Sequence, residues 1–400
     1  MKTLKRCLCG RHQTTGDVLF THSHYVPILK GKRGEYSALK ELYPNDLAGL
    51  TPVIEVPPVD WNWDDDVAKK TEFAHLTSTV DNLVKYWGTD RPLFVDVETA
   101  DLSDAVEGDP AGRSPITCLF DLARSKGLKL IPVLVSTADP ASIAAVAGAS
   151  AKDQRGAMLR IVKDHFFSPN LPALLTSRAG QLSLTPSMLD LLIDLEDVDS
   201  GAVQAYVASV PILLAALPHL PTWRTLTLAS CAFPETLGAF TVGAIGRTPR
   251  VDWLLWRQVC SRLAPGTRKP TFADYGISFT TLAEIDPRVL KTPQNIRYTA
   301  DAEWLIFKGV NFKKNGGAGF IGLCQQLIAQ PEFMGAGFSE GDRYIAGCAT
   351  GTEKPGNPET WRRVGTNHHL TFVVRQIAIA SATSAPAAPG SSTGHGGATP

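Results

Sequence analysis

The chain has 400 residues, 44% of them hydrophobic, with 39 Lys+Arg against 39 Asp+Glu. That length and apolar content support one large domain or two to three smaller ones, and zero net charge excludes a protein that coats nucleic acid or an anionic membrane through bulk charge, although a local basic patch remains open. No apolar run approaches the ~18 residues of a membrane span, the opening MKTLKRCLCGRHQ lacks the apolar stretch of a secretory signal, and the seven Cys read as reduced thiols, so a soluble cytoplasmic protein without a membrane partner is expected.

Residues 1–22 are polar and weakly patterned and read as an N-terminal extension outside the core. Cys7, Cys9, His12, His22 and His24 superficially resemble a zinc set, but their spacing matches no standard structural zinc pattern. From Tyr25 a rhythm of short apolar runs begins: YVPILK (25–30), TPVIEV (51–56), PLFVDVE (92–98), LKLIPVLV (128–135), AMLRIV (157–162), LDLLIDLE (189–196), WRTLTLAS (223–230) and VDWLLWRQ (251–258). Nearly continuous apolar character predicts parallel strands covered on both faces. Helical spacers separate them. Ser114-Pro115 and Asp139-Pro140 supply helix starts, and Gly127 a stop. Pro211 is expected to kink or end the helix after Ser200, and Pro169 and Pro172 weaken the gap between the fifth and sixth runs. Eight strands with intervening helices predict an α/β fold, a (β/α)8 TIM-like barrel over 23–290. The alternative is an open doubly wound parallel sheet, disfavoured because the first turn, KGKRGEY, lacks a GxGxxG.

Past residue 260 the rhythm changes. PTFADYGI (270–277) and NIRYTADAEWLIFKG (295–309) read as extended pieces, and GFIGLCQQLIAQ (319–330) and TWRRVGTNHHLTFVVRQIA (360–378) as helices. Residues 291–379 are therefore additional C-terminal elements packed on the barrel. The segment 380–400, nearly all small residues, Pro and Gly, reads as a disordered tail. NGGAGF (315–320) lacks the ending of a P-loop and reads as a turn.

Charges interrupt the strands at Lys30, Glu55, Asp96, Glu98, Arg160, Asp194 and Glu196. Residues two apart on a strand share a face, which pairs Asp96 with Glu98 and Asp194 with Glu196. A lone charge under the helix layer is costly, so these groups are expected inside the barrel, at the C-terminal strand ends where barrel enzymes hold their chemistry. Asp96, Glu98 and Asp194 then suit Mg²⁺ or Mn²⁺. With Glu55 they also suit metal-free acid/base hydrolysis. Lys30, Lys32 and Arg160 suit an anionic group of the substrate. The competing reading is an interior ion-pair network with no activity. Asp274, Tyr275, Arg297 and Tyr298 line the mouth if the chain re-crosses it. His368 and His369 diverge on a helix and cannot easily share a metal, and a helix start capped by Thr366 or Asn367 competes with a binding role. Trp253 and Trp256, read on a strand, face opposite sides.

YVPILKGKRGEYSALKEL followed by LTPVIEVPP, then FADYGI, NIRYT with the Trp304 segment and TWRRVGTNHHLT, together resemble the phage beta-protein family ("beta family protein") of bacteria and phages, from about Tyr25 to Ile377. The matched charged positions are Lys30, Lys32, Glu35, Glu55, Asp274, Arg297, His368 and His369, and the resemblance brings no catalytic assignment. The function expected from the residues is a hydrolase acting on a phosphorylated or nucleic-acid-like substrate at the barrel mouth, in phage–host conflict. The alternative is a non-catalytic binding module that recognises a protein partner through residues 295–380.

Overall fold

The computed structural model describes residues 20–281 and 293–383. Cys7, Cys9, His12 and most of the C-terminal tail lie outside the described residues.

Strand and helix alternate from the start: β1 (Tyr25–Leu29), α1 (Arg33–Lys40), α2 (Pro44–Ala48), β2 (Val53–Glu55), a small hairpin of β3 (Trp61–Asn62) and β4 (Val67–Ala68), α3 (Glu72–Tyr86), β5 (Pro92–Asp96), α4 (Pro115–Ser125), β6 (Lys129–Val135), α5 (Pro140–Asp153) and β7 (Ala157–Val162). Next come α6 (Lys163–Phe166), α7 (Leu171–Leu182), β8 (Leu189–Asp197), α8 (Val203–Ala215), β9 (Thr225–Cys231), β10 (Ile245–Pro249), α9 (Val251–Arg262) and β11 (Thr271–Asp274). The chain ends with β12 (Pro293–Thr299), β13 (Glu303–Asn311), α10 (Phe312–Asn315), α11 (Gly319–Ile328), α12 (Glu340–Thr350) and α13 (Pro358–Thr383). The helix starts follow local chemistry. The Asp139 carboxylate accepts from the backbone N–H of Ala141 and Ser142, and Pro140 occupies the first turn of α5.

Strands β1, β11, β9, β8, β7, β6, β5 and β2 close into a parallel barrel, in that order around the ring. The fold is therefore the expected closed α/β barrel, and the open sheet is excluded. Side chains alternate across each strand. Val26, Ile28, Val53, Phe94, Met158, Leu192 and Ala273 fill the interior, whereas Tyr25, Leu29, Ile54, Leu93 and Leu191 pack outward with the helices.

Several expectations need correction. The run 251–258 is not the eighth strand; it opens α9. Its buried residues Val251, Asp252, Leu255, Trp256 and Val259 repeat with a helical period. Trp253 and Trp256, three apart on this helix, therefore stack at 5.2 Å rather than facing opposite sides. The eighth strand is the four-residue β11, inside the segment read as lying beyond the barrel. Helix α8 runs through Pro211, and Pro172 begins α7 rather than breaking the gap. Phe20, assigned to the extension, is buried against the barrel interior and stacks on His24. Glu98 lies past the strand in a short 3₁₀ turn, Glu98–Ala100, and so does not share the Asp96 face. Glu196 sits at a register shift in β8 with φ of 56°, which breaks its alternation with Asp194. Helix α13 begins at Pro358, so Thr366 and Asn367 lie in its interior and cap nothing.

The C-terminal elements form a cap and complete the helix ring. Strand β10, from the connection after β9, pairs antiparallel with β13, which pairs with β12. Trp304 and Ile306 of β13 join the hydrophobic cluster that fills the barrel. Helix α13 then returns to pack on α1, α2 and β1, where the helix following the eighth strand belongs.

Candidate functional site: a sealed barrel mouth and a cationic cavity in the cap

The C-terminal end of the barrel carries one interior layer of polar side chains: Lys30, Glu55, Asp96, Arg160, Asp194 and Tyr275. Arg160 is the hub. Its Nη1 donates to Glu55 Oε1 and Asp96 Oδ2, both at 2.8 Å, and its Nε donates to Asp194 Oδ2 at 2.9 Å. Tyr275 accepts from Arg160 Nη2 at 2.7 Å and donates its hydroxyl to Asp194 Oδ2 at 2.6 Å. Lys30 pairs with Glu55, donates to the Thr280 carbonyl and lies over the Tyr275 ring. The second oxygens of Asp96 and Asp194 accept from the backbone N–H of Glu98 and Glu196.

Burial opposes the Arg160 charge, but Tyr275, Asp194, Glu55 and Asp96 outweigh it and hold the guanidinium well above its ordinary pKa. Burial pushes the Asp96 carboxyl up; Arg160 counters this and Glu55 adds to it. Every residue of the layer is less than 9% exposed.

This arrangement does not fit a divalent cation. Mg²⁺ and Mn²⁺ need carboxylate oxygens free to ligate, and here Arg160, Tyr275 and backbone N–H groups hold those of Asp96 and Asp194. Glu98 stands apart, exposed at a small cleft with Asp101, Asp104 and Asp139, its pKa raised by desolvation and then by Asp96 and Asp139. Among the described residues no group of three or more His, Cys, Asp or Glu is arranged to hold a metal ion.

The other candidates disperse. Lys32 precedes α1, half-exposed, with its ammonium 4.0 Å from Asp60. Asp274 points away from the barrel interior, under α13, where it accepts from Tyr25 and meets His369 Nε2 at 3.1 Å. Burial lowers the His369 pKa and Asp274 resists the shift. His368 projects elsewhere, to Asp342 Oδ2 and the Thr299 carbonyl, each at 2.8 Å, and stacks on Tyr298. The two histidines thus diverge, as their helical spacing requires, and each joins α13 to a different part of the fold.

Arg297 goes to a second place. A cavity of about 860 Å³ opens between the β9–β10 connection, the β12–β13 hairpin and the start of α13. Leu237, Val242, Val310, Pro358 and Trp361 supply apolar wall, and Arg297, Lys308 and Arg362 supply positive charge against one lining carboxylate, Glu235. Lys308 donates to the carbonyls of Leu237 and Phe240, each at 2.8 Å, and so pins the loop. Arg297 donates to the Ile277 carbonyl at 2.5 Å and to Asn295, and Arg362 donates to Ser278 at 2.6 Å. No carboxylate among the described residues forms an ion pair with any of the three. Burial and then the neighbouring Arg362 push the Arg297 pKa well below its ordinary value, and Glu35 counters weakly. Lys308, Arg362 and Trp361 were not singled out by sequence reasoning. Lys308 carried the same signal as Lys30, a charge inside the apolar run WLIFKG; no spacing marks Arg362.

Among the described residues, no helix is long and apolar enough to cross a membrane. A putative phosphonomutase from Burkholderia cenocepacia J2315 is similar in structure at a TM-score of 0.33 and 14% identity, over 64% of this chain and 88% of that one. No curated protein matches the sequence. The family model described as Beta protein matches residues 25–375, nearly the whole barrel and cap, and the chain belongs to that family.

Proposed function

We propose that this protein is a recognition module: the barrel is a scaffold, and binding takes place on the cap formed by its C-terminal elements. The observation that carries this reading is the state of the barrel mouth. An enzyme site needs carboxylates that reach substrate or metal through an open pocket. Here Arg160 holds Glu55, Asp96 and Asp194 together, and Tyr275, Thr280 and the segment between them lie against the layer. Opening it would strip hydrogen bonds from several buried charges at once, at a cost of several kcal/mol. The cap cavity, by contrast, presents Arg297, Lys308 and Arg362, which form no ion pair among the described residues, beside apolar wall.

Incubation with DNA, RNA and nucleotide phosphodiesters, in Mn²⁺ or in chelator and beside a Glu55→Gln variant, tests this. The expected result is no turnover under any condition. Metal-dependent cleavage that Glu55→Gln abolishes would return the function to the barrel mouth as a hydrolase.

A further inference from the structure

The cap cavity is specific enough in its chemistry to name a class of ligand. Arg297 and Arg362 both line this space; Arg297 donates to Asn295 and the Ile277 carbonyl and lies over the Phe233 ring at 4.8 Å, and Arg362 donates to Ser278. Among the described residues, Nη2 of Arg297 and both Nε and Nη2 of Arg362 have no hydrogen-bond partner. Glu35, buried behind them, is felt by both arginines but forms no ion pair with either. Two guanidinium forks that repel each other and present free N–H groups to one space are matched by a tetrahedral dianion, which accepts from both at once. A phosphate monoester carries about −1.5 to −2 at neutral pH, enough to offset the pair. Leu237, Val242, Val310, Pro358 and Trp361 give the rest of the wall a large apolar share, with Lys308 and the carboxylate of Glu235 as its other charges. Val242 and Val310 stand 52% and 46% exposed along it and offer apolar surface to a ligand. The volume of about 860 Å³ falls in the range of ligand pockets and exceeds what a bare phosphate fills.

We propose that this cavity binds a phosphate monoester carried on an apolar body, with Arg297 and Arg362 clamping the phosphate and Leu237, Val242 and Val310 covering the body. Lys308 acts at one remove: it holds the Leu237–Phe240 loop in place and adds charge to the rim. The proposal rests on the reading that recognition lies in the cap, and gives it a ligand.

The test is calorimetric titration of the full chain with 1-naphthyl phosphate, 1-naphthol and inorganic phosphate, with free naphthol followed by fluorescence. Saturable one-to-one binding of naphthyl phosphate is expected, with both fragments weaker. The Arg297→Gln/Arg362→Gln double variant should bind it at least about tenfold more weakly, the loss that one charge-assisted hydrogen bond carries. Val310→Trp, a change at an exposed position that leaves the core intact, should fill the cavity and weaken binding without removing charge. Naphthol binding as tightly as its phosphate, binding unchanged in both variants, or no saturable binding at about 1 mM overturns the proposal. Release of naphthol is a separate outcome. If the arginine variants abolish it, the cavity is the site and the non-catalytic reading fails. If they leave it unchanged, the site proposed here fails.

Discussion

Charges inside apolar strands were the most legible feature of the sequence at the scale of single residues. Lys30, Glu55, Asp96, Arg160 and Asp194 do converge in one interior layer, because a charge cannot stay under the helices unpaired and the strand period aims all five inward. Their role was not legible: whether such groups meet a substrate or one another depends on what crosses above them. Asp274 shows the opposite case. One residue from Tyr275, it points outward and relies on Tyr25 and His369 from distant segments. Near it, Asp252 at the start of α9 has its carboxyl pushed up to about 7 by burial and then by Asp274, with Arg250 opposing. The native pKa lies above the ordinary 3.8. The protonated acid therefore contributes stability fully below about pH 4, and that contribution is lost as pH rises through 7. Asp252→Asn keeps the oxygen that accepts from the Trp253 N–H and has no charge to acquire. It should match the wild type near pH 4 and exceed its stability by a few kcal/mol at pH 8. Urea unfolding across that range checks this, and parallel curves would count against it.

Single elements were legible where their pattern admits one period. The first seven strands and α4, α5 and α13 fall where apolar runs and caps place them. The eighth strand does not, because VDWLLWRQ is apolar enough to read as a strand, and only burial of Val251, Leu255 and Val259 reveals its helical face. The four-residue TFAD, buried on both sides, is too short to announce itself. The turn after β1 shows how tightly an element can depend on one position. Gly31 has φ of +61°, and a Cβ there would lie 2.8 Å from the Glu55 carbonyl and 3.0 Å from Pro57 Cδ. Both obstacles belong to the neighbouring strand end, and the turn delivers Lys30 to Glu55. Gly31→Ala should therefore cost about 1–2 kcal/mol in left-handed strain, with the carbonyl clash adding to it. Thermal unfolding reads this out as a loss of several degrees; an unchanged midpoint would show that the turn relaxes freely.

At the scale of the whole molecule, chain order and spatial order part company at the end of the barrel. A conventional barrel places a helix directly after its eighth strand. Here the chain first completes the three-stranded cap with β12 and β13 and adds the helices α10, α11 and α12, then lays α13 against α1, α2 and β1. That detour was not visible as periodicity, since nothing in a helical repeat says which strand it covers. It ties the cap to the barrel through one helix. Within α13, His369 serves Asp274 of β11, Asn367 bridges the Ala38 carbonyl of α1 and the Gly341 N–H of α12, and Arg375 pairs with Asp46 of α2. Leu370, Val373 and Ile377 of the same helix enter the main core cluster. A chain ending at residue 357 would retain all eight barrel strands yet expose that core face and leave Asp274 buried without His369. If the barrel and C-terminal elements were independent domains, such a truncation would keep a cooperative transition and native near-ultraviolet circular dichroism. Because α13 is the eighth helix of the ring, the truncated chain should instead lose both, retain helical far-ultraviolet signal and bind a hydrophobic dye. A cooperative, native-like truncated barrel would separate scaffold from cap and remove the structural reason for the long return of the chain.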